Sequence, residues 1–224
     1  MRLEHHGGSA APNGALAVAV TRDCGALSVR RTAPLMWRLR NWLTYRWREL
    51  PALATYRLLG AVFGLVYIES ALRLTLKHDD GTITDYGVVS RRVVTTAGVG
   101  FIVDAFQNLV ELENLKYHGF GTGTNGELVG NTALQTELTT EYATDNTRPT
   151  GTTTEGASAN IYRTVATLSP NAGGTIAVTE HGIFDQAANS GGVLLDRSVF
   201  SAVNLVASAD SLQATYELTL TAGS

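Results

Sequence analysis

Glu180, His181 and Asp185 fall within one short motif, TEHGIFD, and DRSVF downstream adds Asp196 and Ser198. A carboxylate, an imidazole and a hydroxyl are the parts of a hydrolase in which the imidazole takes the serine proton. The surroundings weigh against that chemistry. No Gly-x-Ser-x-Gly elbow surrounds Ser198, and alternation along a strand puts Asp196 and Ser198 on one face as polar surface. His181 then reads as a turn or interface residue. Gly119, Gly121 and Gly123 in YHGFGTGT invite a phosphate-loop reading, but Thr124 stands where a third dinucleotide glycine would be and no Gly-Lys-Ser/Thr follows. These glycines are expected to end a strand in a turn with positive φ. The histidines at 5, 6, 78, 118 and 181 lack ligand spacing apart from the adjacent His5 and His6, and Cys24 is the only cysteine. No cysteine-built metal site and no intrachain disulfide follow, and no cofactor is expected.

The stretch 35–49 interleaves Leu35, Met36, Leu39, Trp42, Leu43 and Trp47 with Arg38, Arg40, Arg46 and Arg48, and Trp37 completes the set of three tryptophans. Basic and aromatic side chains together offer phosphate contacts and stacking platforms for nucleic acid. Trp and Arg are also the residue types enriched at protein interfaces. The second reading is preferred, with the helix anchored on an acidic protein neighbour.

Several elements must carry these residues. Residues 1–34, with Gly7-Gly8-Ser9, Pro12-Asn13-Gly14 and Arg30-Arg31, read as a mobile arm, followed by a helix over 35–49 with a basic face. Pro51 is expected to end or kink it. Residues 58–68 are apolar throughout and are expected to lie buried against the domain or a neighbouring subunit. The run 50–68 is nineteen residues broken by Arg57, close to the ~20 of a membrane span but interrupted by charge, so membrane insertion is not favoured. No cleavable signal peptide is evident.

From Leu72 the period becomes two: Leu72, Leu74 and Leu76 alternate with Arg73, Thr75 and Lys77, and Asp79-Asp80-Gly81 turns the chain into 83–94. Thr95 or Thr96 caps a helix whose Val99, Ile102, Val103, Phe106, Leu109 and Val110 share the core face. Strands are expected at 115–120, 161–168, 175–184, 193–200 and 212–220. The polar segment 122–160, with one helical turn near 132–138, is a connection of a length that is normally functional or disordered. The fold expected is mainly β: an antiparallel β-sandwich or jelly roll over 58–224 with one amphipathic helix. A basic Trp/Arg-rich helical arm over 1–57 precedes it.

Composition fits a covered surface. Of 224 residues 44% are apolar and only 17% charged, below the usual charged fraction of about 25%, and Lys77 and Lys116 are the only lysines. Residues 1–57 hold nine Arg against three acids, a net of +6, while the remainder carries −9. Two differently charged surfaces are being built.

The motifs YHGFGTGT at 117–124, GNTALQTEL at 130–138, IYRTVATLS at 161–169, TEHGIFD at 179–185, LLDRSVFSAVNL at 194–205 and DSLQATYELTL at 210–220 together resemble a group of tailed-bacteriophage virion proteins. These are capsid decoration (cement) and related minor structural proteins. The resemblance covers roughly residues 70–224 and rests on motif order, and residues 1–57 have no counterpart in it. It implies a non-enzymatic protein of the virion, present in the host cytoplasm during assembly, that clamps the major capsid protein as homotrimers near threefold positions. The alternative is a tail, baseplate or fibre-adaptor protein. The expected contact residues are Trp37, Trp42, Trp47, Arg38, Arg40, Arg46 and Arg48, with Tyr142 and Arg148 from the 139–160 loop. No small-molecule substrate is implied.

Overall fold

The computed structural model describes residues 19–23, 26–91, 94–142, 145–171, 174–206 and 210–222. The chain is mainly β, with two sheets. The larger has the order β1 (Ala19–Asp23), β2 (Ala26–Thr32), β4 (Ile83–Ser90), β3 (Tyr67–Lys77), β10 (Ser211–Thr221), β7 (Ile161–Leu168), β6 (Thr152–Glu155). The smaller runs β5 (Tyr117–Gly121), β8 (Thr175–Phe184), β9 (Leu194–Val206). Pairing is antiparallel throughout except between β2 and β4, which run parallel. Part of the stretch expected to be an arm, 19–32, thus adds two strands to the large sheet, and residues 1–18 lie outside the described residues.

The alternation read from Leu72 onward sets the core. Leu72, Leu74 and Leu76 on β3 and Leu212 and Ala214 on β10 point inward and are buried, facing Val178 on β8 and Phe200, Val203 and Leu205 on β9. Each such Leu withdrawn from water is worth about 1.5–3 kcal/mol, and register is fixed because a one-residue slip would turn all of them out. Leu220, at the frayed end of the same row, is 40% exposed.

The helices depart from the expectations. A continuous helical stretch comprises α1 (Leu35–Asn41), a π segment (Trp42–Arg46) and α2 (Trp47–Phe63), so the chain runs through Pro51. Pro51 stands at the fifth position of α2, where its missing N–H removes one i→i−4 bond without ending the helix. Gly64, at φ 64°, ends α2 in the left-handed conformation typical of a helix terminus. The other helix, α3 (Thr96–Phe106), is capped by the Thr95 hydroxyl, which accepts from Gly98 N at 3.0 Å. Its inward stripe is Gly98 and Phe101 with Ile102, whereas Val99, Val103, Phe106 and Leu109 face solvent. The Cβ position of Gly98 lies only 2.7 Å from Leu195 O, and this close approach rotates the core stripe away from the one expected.

The polar segment 122–160 covers the free edge of β5. Leu138 N donates to Phe120 O, Thr122 N to Thr136 O and His118 N to Pro149 O, which satisfies a sheet edge that would otherwise offer unpaired groups. The glycines of YHGFGTGT serve this packing and have no positive φ. A Cβ on Gly119 would meet the Phe184 ring at 2.7 Å and one on Gly123 would meet Glu180 Oε1 at 2.5 Å.

Tyr142 and Arg148, expected on a contact surface, are instead internal fasteners, 0% and 2% exposed. The Arg148 guanidinium pairs with both oxygens of Glu137, at 2.6 and 2.9 Å, and lies 3.5 Å over the Phe184 ring. Tyr142 accepts from Phe120 N at 2.8 Å and donates toward Glu137 at 3.2 Å. Burial first, and the nearby Glu137 carboxylate second, hold its phenol well above the ordinary pKa, so it remains a donor. Removing one partner of such a buried pair strands the other's charge. Arg148→Ala should therefore lower stability by about 3–5 kcal/mol in urea unfolding; a loss under about 1 kcal/mol, as for an exposed pair, would contradict this placement.

Candidate interaction surface

The groups that suggested hydrolase chemistry are sealed inside. Glu180, His181 and Asp196 are 0% exposed and Ser198 is 2%. Asp196 and Ser198 do share a strand face, as alternation requires, but that face is interior: Ser198 Oγ donates to Asp196 Oδ1 at 3.2 Å and Ser70 Oγ to Asp196 Oδ2 at 2.6 Å. Glu180 pairs with Arg197 at 2.7 Å and accepts the backbone N–H groups of Gly123, Gln135 and Thr136, pinning the 122–136 segment to β8. Asp185 accepts from Val193 N at 2.7 Å and closes its turn. Each carboxylate has a structural partner, which is how charge is tolerated in a core.

His181 is a core residue, not a turn or interface residue. Its Nε2 lies 2.9 Å from His118 Nδ1, and His118 Nε2 lies 3.2 Å from Thr164 Oγ1. Among the described residues His181 Nδ1 has no hydrogen-bond partner. The least costly tautomers therefore place a proton on each Nε2, so that both N–H groups donate and only a lone pair is left unmet. Burial lowers the His118 pKa to about 3, and burial first, then the neighbouring His118, lowers that of His181 well below 6.5.

The surface that remains available is helical. Asn41 and Glu49 are buried at 3% and 2%. Asn41 donates to Val89 O at 2.9 Å and accepts from Ser201 N at 2.8 Å. Glu49 accepts from Ser90 Oγ and Arg91 N. In an α-helix eight residues turn about 800°, roughly 80° beyond two turns. The wider π turn between these residues reduces that excess and lets both face the sheets.

Asn41 and Glu49 thus point inward while most of the large apolar side chains point outward. Leu35, Met36, Leu39, Trp42, Leu43, Trp47, Leu50, Leu58, Val62 and Phe63 are all between 46% and 76% exposed. Of the two expectations for 58–68, burial against its own domain or against a neighbouring subunit, the first is not met over 58–66 except at Gly60, the other residues there being exposed. There the chain is fastened by the Arg57–Glu69 pair at 2.9 Å and by Tyr67 against Gly60.

Of the expected contact residues, Trp42, Trp47, Arg38, Arg40 and Arg48 lie on this exposed surface. Trp37 and Arg46 are half-buried: Trp37 Nε1 donates to Ala202 O at 2.7 Å and the ring packs edge-on to Tyr86, while Arg46 donates to Val88 O at 2.7 Å. Between α1, the π segment and β4 runs a groove of about 530 Å³, lined by Leu35, Trp37, Leu39, Trp42, Arg38, Arg46 and Tyr86 among others. Asn41 and Glu49 escaped the sequence reading, although each interrupts an otherwise Arg, Trp and Leu-rich stretch and they stand eight residues apart.

No protein-family model matches the chain, and no curated protein matches it either. Among the described residues no helix is long and apolar enough to cross a membrane, and no group of three or more His, Cys, Asp or Glu side chains is placed to hold a metal ion.

The histidine pair generates a pH dependence. Both imidazoles are held below the unfolded 6.5, so their contribution is complete above pH 6.5 and is lost as pH falls, for His118 toward its folded value of about 3. At pH 4.5 the His118 imidazole should have removed on the order of 2–3 kcal/mol. Imidazole NMR shifts of the folded protein should stay flat from pH 7.5 to 4.5; a midpoint near 6.5 for either residue would contradict the buried pair.

Proposed function

We propose that this protein is a structural subunit of a bacteriophage virion, a decoration protein that binds the head and clamps neighbouring major capsid subunits. In this reading the two sheets form a sandwich-like, jelly-roll-related body and the basic helical segment is its attachment device. The observation that carries it is the helix fastened by Asn41 and Glu49 with most of its leucines, Trp42, Trp47 and three arginines, Arg38, Arg40 and Arg48, turned outward. An exposed apolar surface of this kind on a chain with few lysines is the mark of a protein-binding face.

The order of motifs between residues 70 and 224, which resembles that of tailed-phage virion proteins, supports the same reading. Binding spread over many copies on a lattice needs little affinity per copy. Catalysis would need reachable groups, whereas the acid, imidazole and hydroxyl here are structural.

The contact assigned to the capsid comprises Trp42, Trp47, Arg38, Arg40 and Arg48. Trp37 and Arg46 support it from beneath, and Tyr142 and Arg148 are no part of it. The test is co-sedimentation of the purified protein with expanded heads and with unexpanded procapsids. Wild type should bind saturably and prefer the expanded form. Trp42→Ala with Trp47→Ala should weaken binding at least tenfold while leaving the unfolding midpoint within the small range usual for surface changes. Absence of binding to either shell would overturn decoration and favour a tail or baseplate position.

A further inference from the structure

The surface contains a second apolar patch that the attachment helix does not explain. On α3, Val99, Val103 and Phe106 recur at i, i+4 and i+7 and are 47%, 49% and 81% exposed; Leu109, Leu128 and Val129 beside them are 58–70% exposed. Thr96 N donates to Val129 O, which holds the 128–129 segment against the start of the helix. With Leu112 seven large apolar side chains of this region are each at least 44% exposed, a concentration of the kind that marks an interaction surface.

We infer that this patch receives the outward ridge of α2 from a second copy of the chain, so that copies join head to tail. The ridge is Pro51, Ala54, Leu58 and Val62, spaced by three or four residues along one helix face and without a charge. Such spacing is what helix-on-helix packing requires. Both surfaces are open in the chain itself, so neither covers the other.

Charge selects this pairing over the two self-pairings. The exposed charges at and before the base of α2 are Arg48, Arg38 and Arg40, whereas α3 and the turn after it carry half-buried Asp104 and exposed Glu111 and Glu113. Lys116, half-buried, is the only cation within 94–116. Ridge against ridge would bring together two arginine-rich partners, and patch against patch two carboxylate-bearing ones. Ridge against patch joins opposite signs, and juxtaposed like charges are what excludes wrong partners. A contact between two different surfaces closes into a ring when the rotation allows it.

The test uses the full chain alone, without any shell protein, so it stands or falls apart from the capsid reading. Light scattering after size exclusion should give wild type a multiple of 23.8 kDa. The ridge variant (Leu58→Asp, Val62→Asp) and the patch variant (Val103→Asp, Phe106→Asp) should each fall to the single-chain mass with unchanged far-UV circular dichroism. Mixed together, they should form a one-to-one complex of twice that mass, because one intact ridge then meets one intact patch.

A wild type that is monomeric, a patch variant that keeps the wild-type mass, or a mixture that stays monomeric would each overturn the inference. Should an Asp variant lose its spectrum, the Ala pair at the same positions replaces it and the same outcomes decide.

Discussion

Asn41 spans the gap between the two sheets, giving its amide N–H to Val89 O on β4 and its carbonyl to Ser201 N on β9. The orientation of the whole helical stretch depends on that bridge. Each bond is worth about 1 kcal/mol net, but leaving the buried Val89 and Ser201 groups unmet would cost about 1–3 kcal/mol apiece. Glu49 adds a second fastening two turns later, on Ser90 and Arg91 at the end of β4. Against these few kcal/mol stand many large apolar side chains left in water, each forgoing up to about 1.5–3 kcal/mol of burial. The isolated chain therefore has unrealised burial on this face, and a covering protein surface would recover it.

The rest of the molecule is built to stay fixed while that face works. Glu180 gathers three backbone N–H groups and a guanidinium, and Glu137 gathers Arg148 and Tyr142. Together these two carboxylates tie a polar segment of about thirty residues, 122–151, to the edge of the small sheet, and the chain then passes into β6 of the large one. A segment so long would be expensive to order without such hubs. With the loop anchored, the exposed apolar surface concentrates on α1, the π segment, α2 and α3. Lattice attachment and contact between copies would then use separate stretches of helix around one rigid body.

Strand content was legible because alternation is a local signal: Leu72, Leu74 and Leu76, which alternate with Arg73, Thr75 and Lys77, are buried, and the strand expected at 212–220 lies within β10. Hidden from the sequence were features settled by distant partners. Glycines in YHGFGTGT were legible as special but not for the right reason, since Phe184 and Glu180, which crowd them, lie more than fifty residues away in the chain. Polar residues on the helix were illegible as its inner face because amphipathicity assumes that apolar residues point inward, and here Asn41 and Glu49 reverse the rule. The hydrolase-like cluster was legible as an assembly of acids, imidazole and hydroxyl, but only the fold reveals that β8 and β9 are buried along most of their length. Tyr142 and Arg148 looked like loop residues free to touch a partner until Glu137 and Phe184 were placed beside them.

The central claim is that the tryptophan-bearing helix presents its apolar side to solvent and is covered only by another protein. Acrylamide quenching of variants retaining a single tryptophan measures this directly. In the dilute, unassembled chain Trp42 and Trp47 should be readily quenched and Trp37, hydrogen-bonded to Ala202 O and packed on Tyr86, should be protected. Addition of expanded heads should then protect Trp42 and Trp47 as well. Equal protection of all three in the unassembled chain would contradict the account, because the helix would then be packing its tryptophans inward.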